Sequence, residues 1–476
     1  MTMRTVVVVM CAAAVALAGC TTPAPDTPPP TEQSTKDRPA APRPKDRDGD
    51  AVLAAVRQLD LCALVDKAMP GGTRPVARQP FECQLTGTSD YVTVQAIRID
   101  HQIRIASATR TIGGAKAYVS QDGCDVYLPI SFTTALEISQ VLGNDCGKLT
   151  NIAAGVVKVL ANPDTVSAKP VWDACTALAA ALDADAGTTK LVENGLTGCG
   201  NHSRETTTGS ISFTDDLPPS DEPKPPQTTT IGGTQVRVYD EGDCQVYWRQ
   251  RPFESRYATA RDYQVAVHTP DCDESKDLAE SLMAVLEKAP PTDAAPQRPL
   301  LYRPDEQDSP YPGACAYVDA LDPKRCEPYV EVPVPEDPAE ILTVAFDDAD
   351  VQCALSVRAV GAHFGTALLP VATSDTGTRC VFVEPQRRVQ LTFSVSYGRI
   401  SNESDGKPVT IAGHPGYLAT DRSSFRFDLS STSELDGEGT LTLVVAAGPA
   451  VTTGPPSGAE AKAETVLADV LEAHFS

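Results

Sequence analysis

Twelve cysteines lie between Cys62 and Cys380 of this 476-residue chain, and they are its most concentrated reactive groups. Clustered thiolates can hold zinc, but no Cys-x-x-Cys occurs and the chain has only 6 histidines, so no metal site is assigned. The even count in an exported chain reads instead as a disulfide framework. Asp347, Asp348 and Asp350 could hold a cation, yet such a cluster more often makes a solvated turn with a helix cap. A hydrolase needs a nucleophile, a base and an orienting acid brought together. No Gly-x-Ser-x-Gly elbow and no His-Glu-x-x-His is present, and His101, His268 and His414 read as surface or satisfied polar residues near strands. No catalytic residue and no cofactor is assigned.

The cysteines are positioned by a recurring unit. Thr111-Ile112-Gly113-Gly114, Thr230-Ile231-Gly232-Gly233 and Thr410-Ile411-Ala412-Gly413 are followed by Cys124-Asp125-Val126-Tyr127-Leu128, Cys244-Gln245-Val246-Tyr247-Trp248 and Ser424-Phe425-Arg426-Phe427-Asp428. This alignment puts Tyr127, Tyr247 and Phe427 in register and Ser424 in the place of a cysteine. A repeat this long signals tandem domains, not a solenoid. Thr-Ile suits a pleated strand, and a following glycine permits positive φ or close approach, as at a bulge. The second glycine persists while the first becomes Ala412, so Gly114, Gly233 and Gly413 are the structural glycines. Turn signals follow at Gln121-Asp122-Gly123 and Glu241-Gly242-Asp243. A phosphate-cradling loop would need a following Lys-Ser/Thr and a helix, and neither pattern follows.

Module one (48–163) holds Cys62, Cys83, Cys124 and Cys146; module two (168–290) holds Cys175, Cys199, Cys244 and Cys272. Module three (338–476) keeps Cys353 and Cys380 but has no counterpart of the later two. Two cysteines that vanish together are partners, which predicts first-to-second and third-to-fourth bridges in modules one and two. Cys353 then bonds Cys380, and Cys315 bonds Cys326 in the proline-rich connection, 291–337. Cys315-Ala316-Tyr317-Val318-Asp319 echoes Cys62-Ala63-Leu64-Val65-Asp66, which offers an earlier start for module three. Ala339 to Val344 matches Ala51 to Val56 and supports the start near Pro338.

Within module one, Ala51 to Val56 is helical, Asp60 can cap a second helix carrying Cys62, and Leu149, Ile152, Ala153, Val156 and Leu160 stripe a closing helix. Strands are expected at Phe81–Leu85, Tyr91–Ile99, Thr111–Val119, Cys124–Ile130 and Ala135–Val141. Module two repeats the order, with Asp173 before Cys175, strands at Val236–Tyr239, Cys244–Arg249 and Tyr263–His268, a stripe of Leu278, Leu282 and Val285, and a proline-rich excursion from Asp215 to Gln227. Module three has strands at Arg379–Val383 and Val389–Tyr397 and a final helix carrying Val466, Leu467, Val470, Leu471 and Phe475. Sequential strands against terminal helices give an α+β class: three tandem modules, each helix, about five mainly antiparallel strands, helix.

The chain opens with Arg4, an apolar run from Val6 through Leu17, and Leu17-Ala18-Gly19-Cys20. The run is short for a membrane span and ends in a small-residue cleavage pattern. It resembles the bacterial lipoprotein signal. That resemblance implies removal of residues 1–19 and lipidation of Cys20, hence a lipid anchor on the extracytoplasmic face of the cell membrane. Residues 20–47 are proline-rich and poor in large apolar groups, which predicts an extended tether of about 90 Å in polyproline form. Asp46-Arg47-Asp48-Gly49-Asp50 looks like a calcium loop, but Ala51 and Arg57 occupy the positions of its glycine and closing glutamate. The formal charge of −23 gives a soluble surface that repels nucleic acid.

A cysteine-bearing first helix, a second cysteine entering a strand, and the lipobox together resemble an actinobacterial family of secreted lipoproteins with a domain of unknown function. The arrangement is also similar to the sensor ectodomains of mycobacterial receptor serine/threonine kinases and, more distantly, to the Mog1/PsbP-like fold. The resemblance implies a non-catalytic lipoprotein whose repeated modules bind an envelope protein or a small ligand. An uncharacterised envelope hydrolase is the alternative. Module three departs from the pattern by lacking the second bridge.

Overall fold

A computed structural model describes residues 41–476 except 70–73, 87–90, 121–122, 141–144, 183–189, 204–205, 215–225, 241, 252–254, 259–262, 319–324, 375–376, 401–405 and 449–453. The signal, Cys20, most of the tether and nearly all of the proline-rich excursion lie outside the described residues, as do parts of the turns at 121–123 and 241–243.

Module one runs α1 (Gly49–Arg57), α2 (Leu61–Ala68), β1 (Arg74–Val76), β2 (Glu82–Thr86), β3 (Val92–Arg98), α3 (His101–Ala106), β4 (Ser107–Ile112), β5 (Ala115–Ser120), β6 (Val126–Pro129), β7 (Thr134–Gln140) and α4 (Cys146–Leu160). Module two runs α5 (Ala174–Ala181), β8 (Lys190–Asn194), β9 (Gly198–Ser203), β10 (Thr206–Thr214), β11 (Gln227–Ile231), β12 (Thr234–Asp240), β13 (Cys244–Gln250), β14 (Tyr263–Thr269) and α6 (Cys272–Leu286). Then come β15 (Cys326–Pro328), α7 (Pro338–Asp347), α8 (Ala349–Phe364), β16 (Leu369–Thr373), β17 (Arg379–Val383), β18 (Val389–Ser396), β19 (Lys407–Ile411), β20 (His414–Thr420), β21 (Ser424–Ser430), β22 (Thr440–Ala447) and α9 (Ala459–His474).

The three sheets share one topology. Their strand orders are β1-β2-β3-β7-β6-β5-β4, β8-β9-β10-β14-β13-β12-β11 and β16-β17-β18-β22-β21-β20-β19, and β15 extends the third beyond β16. In each, three strands meander in from one edge, the chain crosses to the far edge, and the last strand returns to the centre beside the third, antiparallel to it. The α+β class and the antiparallel pairing are those read from the sequence, but the sheets have 7, 7 and 8 strands where about five per module were expected. The unread strands are short edge pieces such as β1 and polar, glycine-bearing ones such as β9, Gly-Cys-Gly-Asn-His-Ser, which carry no apolar alternation. β15 also comes from the proline-rich connection, so the third sheet begins before Pro338.

The cysteine-bearing and closing helices cover one face of each sheet; the short α3 lies on the other face of the first, where Ile103 packs with Tyr118 and Tyr127. Every cysteine-bearing first helix is capped by an aspartate: Asp60 accepts from Ala63 N, Asp173 from Thr176 N, and Asp348 from Asp350 N. Asp145 and Asp271 cap the closing helices α4 and α6, whereas α9 starts from Gly458 with no side-chain cap. In module one the core packs Leu64 of α2 and Leu149 and Ile152 of α4 onto Val94, Leu128 and Ile138. In module three Phe382, Phe393 and Phe427 meet Val466, Leu467 and Leu471.

The recurrent Thr-Ile stretch ends an edge strand and opens a two-residue hairpin. Ile112 pairs Ala115, Ile231 pairs Thr234 and Ile411 pairs His414. Both turn positions have positive φ in all three copies: 58° and 89° at Gly113 and Gly114, 54° and 84° at Gly232 and Gly233, 51° and 83° at Ala412 and Gly413. That is the twist-matched turn of a tight hairpin, so the expected bulge is a turn, and the single strand expected over Thr111–Val119 is β4 and β5. Ala412 holds a left-handed conformation that costs an L-residue with a Cβ about 1–2 kcal/mol. Ala412→Gly is therefore expected to stabilise the chain by roughly 0.5–1 kcal/mol, after glycine's own entropy cost, and Gly233→Ala to destabilise it by about 1–2 kcal/mol. Equilibrium urea unfolding of the two variants checks both signs.

Candidate functional site

The twelve cysteines fall into six pairs, and each is the pair argued from spacing: Cys62–Cys83, Cys124–Cys146, Cys175–Cys199, Cys244–Cys272, Cys315–Cys326 and Cys353–Cys380. The first bridge of every module ties the helix that immediately precedes the meander, α2, α5 or α8, to the second meander strand, β2, β9 or β17. Where present, the second ties the start of the closing helix to the sheet. Gly114, Gly233 and Gly413 sit in the three hairpin turns.

Other candidates are engaged in packing. His414 is buried with Nδ1 3.1 Å from Ser430 O, His101 Nε2 lies 3.0 Å from Val318 O, and His268 Nε2 lies 3.4 Å from an Asp243 carboxylate oxygen. Asp347 ends α7 exposed, Asp348 caps α8, and buried Asp350 accepts from Val330 N at 3.0 Å. Among the described residues no group of three or more His, Cys, Asp or Glu is placed to hold a metal ion. Tyr127 and Tyr247 do not share a face with Phe427. Val126 and Leu128, or Val246 and Trp248, face the helices, and the tyrosines point to the opposite side, whereas Phe427 is in the helix-covered core with Phe425 and Leu429. The alignment is off by one residue there, and in a strand one residue reverses the face.

Sequence reading missed the charges that join the modules. Arg57, at the end of α1, donates from Nε to Asp173 Oδ2 at 2.8 Å, and its other nitrogens reach Asp173 and Thr176. Arg57 is 6% exposed and Asp173 2%, and the same carboxylate caps α5, so one group both starts module two and docks it on module one. Around this pair, Ala77 N donates to Tyr257 O at 2.9 Å and Ser255 Oγ to Asp60 at 3.0 Å.

The connection is an ordered clamp, not a spacer. Leu300 and Leu301 enter the core of module one, while Ala314, Cys315, Val318 and Cys326 pack with Val371, Val381 and Val383 on the third sheet's side away from its helices. Between these anchors Asp308, 3% exposed, accepts from Arg104 Nε at 3.2 Å, Lys116 Nζ at 3.0 Å and Tyr118 Oη at 3.0 Å. Burial first, then the Asp308 charge, raises the Tyr118 pKa well above its ordinary value, so the phenol stays a proton donor. Arg387 of module three donates to Arg104 O at 3.2 Å and Tyr317 O at 3.2 Å. No sequence signal marks these residues, because each partner stands more than a hundred positions away or in a segment that reads as linker.

One acidic cluster has perturbed protonation. On the first sheet's side away from its helices, Glu137 of β7 accepts from Gln95 of β3 and lies beside Tyr127 and Asp125; burial is the main cause that raises the pKa of both carboxyls. Partial burial of two acids can mark an acid–base site; here the serine hydroxyl in contact, Ser120 Oγ, lies 3.4 Å from Asp125 Oδ2 and accepts from Asp125 N at 2.9 Å, with no histidine beside it among the described contacts. Comparison with protein-family models, curated proteins and solved structures returns no match.

Two outcomes test these assignments. Arg57→Met strands a buried carboxylate and is expected to lower stability by about 3–5 kcal/mol. Arg57→Met/Asp173→Asn, which removes the orphaned charge but keeps a capping oxygen, should recover at least half of that loss in thermal or urea unfolding. Glu137 has a raised folded-state pKa, so its ionisation opposes folding: the favourable contribution is full below the unfolded value near 4.5 and is lost as pH rises through the folded value. Glu137→Gln should therefore raise Tm at pH 7 and flatten the gain in Tm seen when wild type is taken from pH 7 toward pH 5.

Proposed function

We propose that the chain is a non-catalytic cell-envelope lipoprotein, tethered through Cys20, that presents three α+β modules to a protein partner or small ligand. The observation that carries this reading is the threefold repetition of one disulfide-braced sheet, held as a single unit over 41–476 by the Arg57–Asp173 and Asp308 junctions. Duplicating a binding module multiplies contact sites and avidity, whereas catalysis needs one constellation only. Six disulfides support an oxidising, extracytoplasmic compartment. The likeness in element order to secreted lipoprotein domains and sensor ectodomains points the same way.

The anchor and the binding role are tested apart. Cys20→Ala should abolish the lipid-modified mass and release the protein from the membrane fraction or leave it unprocessed; a retained lipid-modified mass refutes the anchor. Native mass spectrometry of the mature chain, before and after denaturation, tests for a carried small molecule. Cross-linking in cells tests for a protein partner. Turnover of envelope esters or peptides that a single side-chain change abolishes would replace the binding role with a hydrolase.

A further inference from the structure

The hairpins leave β4, β11 and β19 as the terminal strands of their sheets. A two-residue turn fixes which backbone groups each one bonds inward. Residues flanking the turn exchange both hydrogen bonds, and every second residue from there does the same. On β11, Ile231, Thr229 and Gln227 pair with Thr234, Val236 and Val238 in this way, so Thr230 and Thr228 direct their N–H and C=O groups away from the sheet.

The equivalent edges are guarded. On β19 the position matching Thr228 is Pro408, which has no N–H to offer, and Lys407 adds a charge beside it. On β4 the position matching Thr228 is Thr109, which is half-buried; Ser107 and Ala108 before it are buried where α3 packs on the strand, and Arg110 stands exposed between Thr109 and the exposed Thr111. β11 has neither device. Its sequence Gln227-Thr228-Thr229-Thr230-Ile231 has no charge and no proline, is mostly β-branched, and is exposed at its first four residues. Such an edge is a template for a further strand.

Charge selects what would pair there. The closing helix α6 packs against β11 and exposes Asp273, Glu274, Asp277 and Glu280, and the whole chain carries −23. A second copy of so acidic a chain is repelled, whereas a cationic segment is drawn in. We infer that the outer edge of β11 is the docking site for an extended, basic peptide segment of a partner protein, which adds to the second sheet as a new edge strand. This rests on the binding role proposed above and places it on one strand.

The test uses the mature full-length chain and an end-blocked ten-residue peptide of alternating lysine and valine or threonine, with a glutamate-for-lysine peptide as control. Calorimetric titration should show binding of the basic peptide alone, and hydrogen exchange should slow at the Thr228 and Thr230 amides. Thr228→Pro copies the Pro408 guard without touching an inward bond and should weaken binding at least tenfold; Thr228→Lys should do the same and stands in if the proline variant melts early. Unchanged affinity in both variants, or protection away from β11, overturns the site. A concentration-dependent dimer that Thr228→Pro abolishes, without peptide binding, overturns it in favour of self-pairing. An envelope partner cross-linked equally to wild type and Thr228→Pro also overturns the β11 site while leaving the binding role intact.

Discussion

The bridge between the helix that precedes each meander, α2, α5 or α8, and the meander's second strand is the constraint on which the rest of the architecture depends. Cys62–Cys83, Cys175–Cys199 and Cys353–Cys380 are the bridges common to all three modules, and they sit within the cores they brace. In the chain-entropy account a loop of this length is worth about 3 kcal/mol. The larger consequence is geometric. With the helix pinned near the meander edge, the central strands carry the closing helix, and the far edge is left to a tight hairpin. Module three lacks both the second bridge and the aspartate cap of its closing helix, and its core packs Phe382, Phe393, Phe425 and Phe427 of the sheet against α8 and α9.

Buried charge then turns three similar units into one body. Asp173 and Asp308 each sit almost out of solvent and each bind cations from another part of the chain. A buried ion pair gives little net stability over an apolar replacement, but a missing partner is costly. Such pairs therefore specify which surfaces meet. Apolar anchors from the connection, Leu300 and Leu301 on one side and Cys315 and Val318 on the other, supply the adhesion that the charges direct. Module one carries both junctions.

The same repetition produces differences that bear on function. One hairpin turn recurs three times, and its parity dictates which backbone groups of the edge strand look outward. Differences in a few side chains then leave the β19 edge closed by proline and lysine, the β4 edge partly covered, and the β11 edge open. A frame in which one of the three described hairpin edges is open is suited to holding an extended partner at a fixed place, whereas equal edges would invite sheet-to-sheet association of the protein with itself.

What the sequence by itself determined is local or countable: an even set of cysteines and their pairing, aspartates placed to cap helices, the apolar stripes of the closing helices, the threefold recurrence of the Thr-Ile stretch, and hence an α+β repeat. Each follows from spacing within a few tens of residues, where chain geometry leaves few alternatives. Strand number was not legible, because the edge strand β1 is three residues long and β9, inside the second sheet, is polar and glycine-bearing, so neither shows a period. The face of Phe427 was misread because a gap of one residue in a loop is invisible to alignment but decisive in a pleated strand. Only the tertiary structure decided that Arg57 meets Asp173, that Asp308 gathers Arg104, Lys116 and Tyr118, and that a proline-rich connection is a clamp. Those contacts join residues roughly a hundred or more positions apart, and charge pairing of that kind is set by which surfaces the folded modules bring together, not by any pattern along the chain.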